Sequence, residues 1–288
     1  RTVRCRPSRF GREAALRRAL FSPAGLTRRA LLAGAAATAA LLPMRAAGSA
    51  RPQFLSACRL EDGRMAAALL GEDGTILAIA PIDARGHGGA YCPARSMAVL
   101  FARRPGLFAV ILDLEQRRRG GAFSPPPKRR FAGHGAFSAD GKLLYAAEND
   151  FDGERGVIGI YDASDGFSRL GEFDTFGIGP HEMLMMADGT TIAVANGGIA
   201  THPDFPRMKL NLATMAPSLV LLRASDGALL AQTRLPAHMH QLSIRHMAEV
   251  RPGVLWFGAQ YEGPAEDLAP LVGTFDERYG IRLAPMSD

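Results

Sequence analysis

The sequence predicts an all-β fold made of repeated four-stranded antiparallel units, and three observations carry that prediction. Glycine is frequent, 32 of 288 residues. Short apolar runs are separated by turn residues such as Asp140-Gly141, Asp188-Gly189 and Asp226-Gly227, which is the punctuation of strands and tight turns. Histidines recur on a fixed step: His87, His134 and His181 lie 47 residues apart, and Asn149 and Asn196 repeat that step. No long helical period runs beyond residue 50. A period of about 40 to 50 residues holding several short strands is the signature of propeller blades, so the fold class is a β-propeller.

The elements follow in order. Residues 1–50 hold ten of the 34 basic residues and one of the 28 acids, Glu13. They contain TRRALLAGAAATAALL, in which Arg28 and Arg29 resemble a twin-arginine export motif ahead of a thirteen-residue apolar run from Ala30 to Leu42. Ala46 to Ala50 supplies the small residues of a cleavage site. The run is too short to span a bilayer. The segment is therefore read as an export signal, placing the protein in the periplasm, with membrane contact only through the signal. The other 24 basic and 27 acidic residues leave residues 51–288 at −3, which gives no electrostatic reason to expect nucleic acid.

Residues 51–86 offer QFLSACRL, MAAALLG and TILAIAPI, strands B, C and D of a blade lacking its own strand A. Units then start near His87, His134, His181 and His240. In the second, AFSA, LLYAAEN, GVIGIYDA and SRLGEFDT read as four strands. In the third, EMLMM, TIAVAN, PSLVLLRA and LLAQTRLP do the same, interrupted by an insertion at 198–215. The total is about four and a half blades. The chain reads as an incomplete ring and, beginning without methionine, as a fragment. Cys58 and Cys92 read as two thiols rather than a disulfide.

In a propeller the strand A of each blade lines the central channel. A histidine just before each strand A puts His87, His134, His181 and His240 at one mouth of that channel. Loops after strand B, opening on the same face, carry Arg103, Arg104, Glu148, Asn149, Asp150, Asn196, Gln260 and Glu262, and Glu182 follows His181. Three readings of this funnel stand open. One is a scaffold role, each ring hydrogen-bonded inside its own blade, as the Gly-His pair of WD40 repeats is. The second is a metal or haem-iron site, because neutral imidazoles suit zinc, copper and iron, with carboxylates orienting them. The third is general acid–base chemistry. His202 in the insertion reads either as a plain loop residue or as reaching over the funnel, and His246 as a core residue. Met183, Met185, Met186 and Met239 read as strand-core residues, with copper as the alternative, and PPPKRR as an inter-blade loop. No nucleophile-elbow, phosphate-loop, dinucleotide or covalent-haem motif is present.

The stretches RGVIGIYDA, EFDTFGIGPHEM, VANGGIATHPDFPRMKLNL, HQLSIRHMA and FGAQYEGP together resemble a bacterial family catalogued as domain of unknown function 1513, over about Phe54 to Gly273. The resemblance implies a twin-arginine-exported seven-bladed propeller with no established activity, C-terminal blades being absent here. It also implies periplasmic iron-handling proteins as neighbours, and so an iron or haem connection; copper is the further metal that the histidines and methionines leave open. The function expected is a periplasmic binding or scaffold protein linked to metal handling. The alternative is a metal-dependent oxidoreductase or lactonase-like hydrolase using the histidine-lined funnel.

Overall fold

The computed structural model describes residues 52, 54–102, 107–205 and 208–285. The segment with Arg28 and Arg29, and the rim residues Arg103 and Arg104, lie outside them. Nineteen strands run through the described residues, joined by turns and three short 3-10 segments. None of the helical segments among them is long and apolar enough to cross a membrane.

The strands form five antiparallel sheets, each ordered as in the sequence. The first has three: β1 (Phe54–Arg59), β2 (Met65–Leu70) and β3 (Ile76–Ile82). The other four have four each. They are β4 (Gly86–Cys92), β5 (Met97–Ala102), β6 (Ala109–Asp113), β7 (Arg118–Phe123); β8 (Arg129–Phe137), β9 (Leu143–Asp150), β10 (Arg155–Asp162), β11 (Ser168–Asp174); β12 (Pro180–Met185), β13 (Thr191–Asn196), β14 (Ser218–Arg223), β15 (Leu229–Arg234); and β16 (Leu242–Arg251), β17 (Val254–Tyr261), β18 (Val272–Asp276), β19 (Gly280–Leu283). This is a β-propeller of four-stranded antiparallel blades. The first strands β4, β8, β12 and β16 pack on one another in succession, and β5, β9 and β13 each touch the first strand of the next sheet. In the three-stranded sheet β1 touches β4 and β3 touches β7, so β1 holds the place of a second strand and β3 that of an outermost one.

Period-two alternation explains why the middle strands read as unbroken apolar runs. On β13, Ile192 and Val194 face a core shared with Tyr145 and Ile158 of the preceding sheet. Their neighbours Ala193 and Ala195 face a second core with Leu242, Ile244 and Leu255 of the next. β14 divides its residues the same way, Val220 and Leu222 to one side and Leu219 and Leu221 to the other. Two further cores fill the remaining gaps between adjacent sheets. Each buried Leu, Ile or Phe in them contributes about 1.5–3 kcal/mol. Three of the Asp-Gly turns close in one manner. Gly141, Gly189 and Gly227 take φ of +71°, +67° and +71°, where glycine pays no Cβ penalty. The preceding aspartates accept from the Lys142, Thr190 and Ala228 N–H groups at 3.0, 2.8 and 3.0 Å. Cys58 and Cys92 are not bridged to each other.

Candidate metal centre

His87, His134 and His181 do not sit in loops ahead of the inner strands. They lie inside them, at irregularities that all four complete blades share. The pairing register shifts between Gly86 and Gly89 on β4, Phe131 and Gly135 on β8, Pro180 and Glu182 on β12, and Ile244 and His246 on β16. A bulge leaves residues out of the ladder and re-aims their side chains. Here the residues so released include His87, His134, His181 and Arg245, and His246 closes the fourth bulge.

The outcome is a cluster of four imidazoles. Ring centroids are 5.0 Å apart for His87–His134, 5.8 Å for His87–His181, 5.5 Å for His134–His181, 5.3 Å for His134–His246 and 4.9 Å for His181–His246. Donor atoms of His87, His134 and His181 lie within 4.8 Å of one another, as do those of His134, Glu182 and His246. Glycine makes the approach possible. Gly133 has φ +110°, and a Cβ there would sit 2.3 Å from His87 Cδ2; one on Gly88 would sit 2.7 Å from the His134 ring.

Glu182 organises the cluster from the side. Its carboxylate lies 3.4 Å from His134 Nδ1 and 3.3 Å from His246 Nδ1, and it accepts from the Met247 N–H at 2.6 Å. Burial works to raise its pKa, but the His246 hydrogen bond, the nearby His134 and the Met247 N–H together hold it below the usual carboxylate range. A carboxylate at Nδ1 leaves Nε2 as the free lone pair. His134 Nε2 is buried with no hydrogen-bond partner, an arrangement that costs about 1–3 kcal/mol unless something binds there. Burial is also the main cause holding His134 below the usual histidine pKa. His181 is held down at about 2, by burial first, then by the Arg245 charge and the other imidazoles. Both rings are neutral at pH 7, the form that ligates a metal.

A cavity of about 380 Å³ opens on this cluster, with His87 and His181 in its wall. Asn149, Gln260, Arg130, Lys209, Arg245 and Thr201 also line it. Arg245 lies 3.2 Å from His181 Nδ1 and 3.2 Å from Glu262 Oε1, and Lys209 pairs with the same Glu262. The insertion curls over this face because Asn211 staples it. Asn211 Oδ1 accepts from the Ala200 N–H at 2.7 Å, and its Nδ2 donates to Gly198 O at 2.8 Å.

The other expected residues fall elsewhere. His240 does not reach the cluster. It caps a short 3-10 turn before β16, with Nδ1 3.1 Å from Ala237 O, and His246 stands in the cluster instead. His246 is 59% exposed at its side chain and is no core residue. Glu148, Asn149 and Asp150 belong to β9 and not to a loop after it. Glu148 is fully buried, accepts from Tyr161 Oη at 2.5 Å and pairs with Arg169 at 3.1 Å; burial raises its pKa against both partners. Asp150 pairs with Arg129 and Arg155. Asn196 is buried and donates to Thr175 O and Ser218 Oγ at 2.8 and 3.3 Å. His202 packs edge-on to Phe151, ring centroids 5.7 Å apart.

The family described as protein of unknown function (DUF1513) matches residues 80–288. The chain belongs to that family. Comparison with curated proteins returned no match. Among solved structures, Kuenenia stuttgartiensis hydrazine synthase is similar to this DUF1513 chain, with a TM-score of 0.60 at 12% identity over 81% of this chain. The match covers 63% of that chain's length, and the likeness is one of fold.

Arg245, His246, Lys209 and Arg130 were not legible as site residues from the repeat step. A signal for two of them does exist: His181-Glu182-Met183 and Arg245-His246-Met247 occupy equivalent places beside their bulges, and aligning the units on this methionine finds them.

Proposed function

We propose that this DUF1513 protein binds a transition-metal ion on its propeller axis through His87, His134 and His181, with Glu182 as the carboxylate that orients His134. The observation carrying the reading is the buried, partnerless His134 Nε2 among three further imidazoles. Two bonds of about 2 Å put donor atoms at most about 4 Å apart, so donors within 4.8 Å close around an ion with small ring rotations. Three protein ligands beside a cavity leave one coordination position facing that cavity, the plan of sites that bind a small molecule at the metal. Imidazole with one carboxylate suits zinc, copper, iron or nickel. The spacing between the rings accepts an ion and not a macrocycle, which favours a mononuclear site over haem.

The reading includes export. The twin-arginine segment supports a periplasmic location, and iron-handling proteins of that compartment are the partners that the family resemblance suggests. A binding role is preferred to catalysis because the cluster supplies ligands and no paired nucleophile and base.

Elemental analysis of the purified protein, followed by titration of the stripped chain with zinc, copper, nickel and ferrous iron, tests this. We expect one equivalent to bind, and His134→Gln to weaken binding at least tenfold. Less than about a tenth of an equivalent, with no binding at ten times the protein concentration, rules the site out. Glu182→Gln should lower affinity by about 10- to 100-fold without removing a ligand to His87 or His181.

A further inference from the structure

We infer that the 380 Å³ cavity beside the histidines is a binding site for a small polycarboxylate anion, gripped by Arg130, Lys209 and Arg245. Those three cations line the cavity, and among the described residues no Asp or Glu does. They come from three separate places: Arg130 from β8, Lys209 from the insertion and Arg245 from the β16 bulge. One carboxylate, Glu262, pairs with both Lys209 and Arg245, so those two cations share a single negative charge. Arg130 is only 6% exposed, sits over the Phe151 ring at 5.3 Å and donates to Thr201 Oγ1 at 2.9 Å. Its guanidinium is thus fixed in place before any ligand arrives, and a planar fork matches a carboxylate.

Size and spacing select the ligand. At about 30 Å³ per water the cavity holds roughly a dozen, more than one phosphate or carbonate fills. Cations on separate elements ask for an anion with two or three separated charges. Asn149, Thr201 and Gln260 add uncharged polar groups to the wall for hydroxyl or carboxyl oxygens. The site goes beyond the metal reading; Lys209, from the insertion, tests it apart from the imidazoles, whereas Arg245 also contacts His181 Nδ1.

Calorimetry on the full chain stripped of metal tests it, with citrate, succinate and inorganic phosphate titrated at constant ionic strength. Citrate should bind at submillimolar concentration, at least tenfold more tightly than phosphate, and weaken as salt rises. Lys209 is 39% exposed at its side chain, so Lys209→Gln folds; it should cost at least tenfold in citrate affinity, and Lys209→Arg should restore most of it. Equal binding of phosphate and citrate overturns the polycarboxylate assignment. Citrate binding unchanged in Lys209→Gln overturns its location. Absence of citrate binding by a chain that still takes one equivalent of metal removes this site and leaves the metal reading intact, and citrate binding by a chain that takes no metal does the reverse.

Discussion

Replacing His181 with asparagine flattens the acid limb of the stability curve. His181 titrates near 6.5 when unfolded and is held at about 2 in the fold. A depressed histidine pKa means the fold keeps the neutral ring. The stability involved is fully present above pH 6.5, and it is lost as pH falls below 6.5, where the unfolded chain takes up a proton that the folded chain refuses. Between pH 7 and pH 5 the loss from this one ring is about 2 kcal/mol, at about 1.4 kcal/mol per pH unit below the unfolded pKa. With a urea slope near 3 kcal/mol per molar, this displaces the midpoint by about 0.7 M. The assay is urea unfolding of metal-free protein at pH 7 and pH 5, wild type against His181→Asn. Taking the difference of differences cancels the cost of the substitution itself and every titrating group that is not coupled to His181. The expectation is that wild type loses about 2 kcal/mol more than the variant across this interval. Equal losses would show that the ring takes up its proton in the fold and would refute the reasoning.

Four further outcomes follow from the same geometry. Gly133→Ala should cost at least about 2 kcal/mol and abolish metal uptake, since its Cβ would strike His87 and φ is +110°; Gly171→Ala, where nothing lies within 4 Å, is the neutral control, and thermal melts read both. Arg245→Met should tighten metal binding about tenfold, because the guanidinium competes for His181 Nδ1 and repels a cation, while weakening citrate; competition titration checks the opposite signs. Glu148→Gln should destabilise by about 3 kcal/mol by leaving Arg169 short of its buried partner, and the double variant with Arg169→Met should recover at least half in urea melts. Asn196→Ala should cost about 1–3 kcal/mol by stranding Thr175 O and Ser218 Oγ, read the same way.

The blade architecture was legible because it is written in local chemistry. Asp-Gly turns, apolar runs of strand length and a 47-residue step each report on a few neighbouring residues, and the strands of the second and third units fall close to where those signals put them, except that β8 starts at Arg129, seven residues ahead of the AFSA stretch. The site was legible only in part. His87, His134 and His181 follow the step and meet. His240 follows the unit start and misses, because the fourth bulge falls after Ile244, the third residue of β16. Register decides which side chain reaches the axis, and a bulge shifts register without a sequence mark of its own. Glu148 shows the same limit. It reads as a loop residue, but β9 runs on to Asp150, and alternation then turns Glu148 inward onto Tyr161 and Arg169. Lys209 and Thr201 arrive through an insertion whose path depends on the Asn211 staple, a contact between residues that no repeat connects.

The bulges have one more consequence. Each inner strand returns to its ordinary ladder on both sides of the irregularity, so whatever it presents at the axis is decoupled from the pairing that holds the blade together. Three blades present imidazole there and the fourth presents guanidinium next to imidazole. The axis is therefore a set of interchangeable sockets, and a different ligand set, with a different ion preference, is reachable by changing one blade at a time.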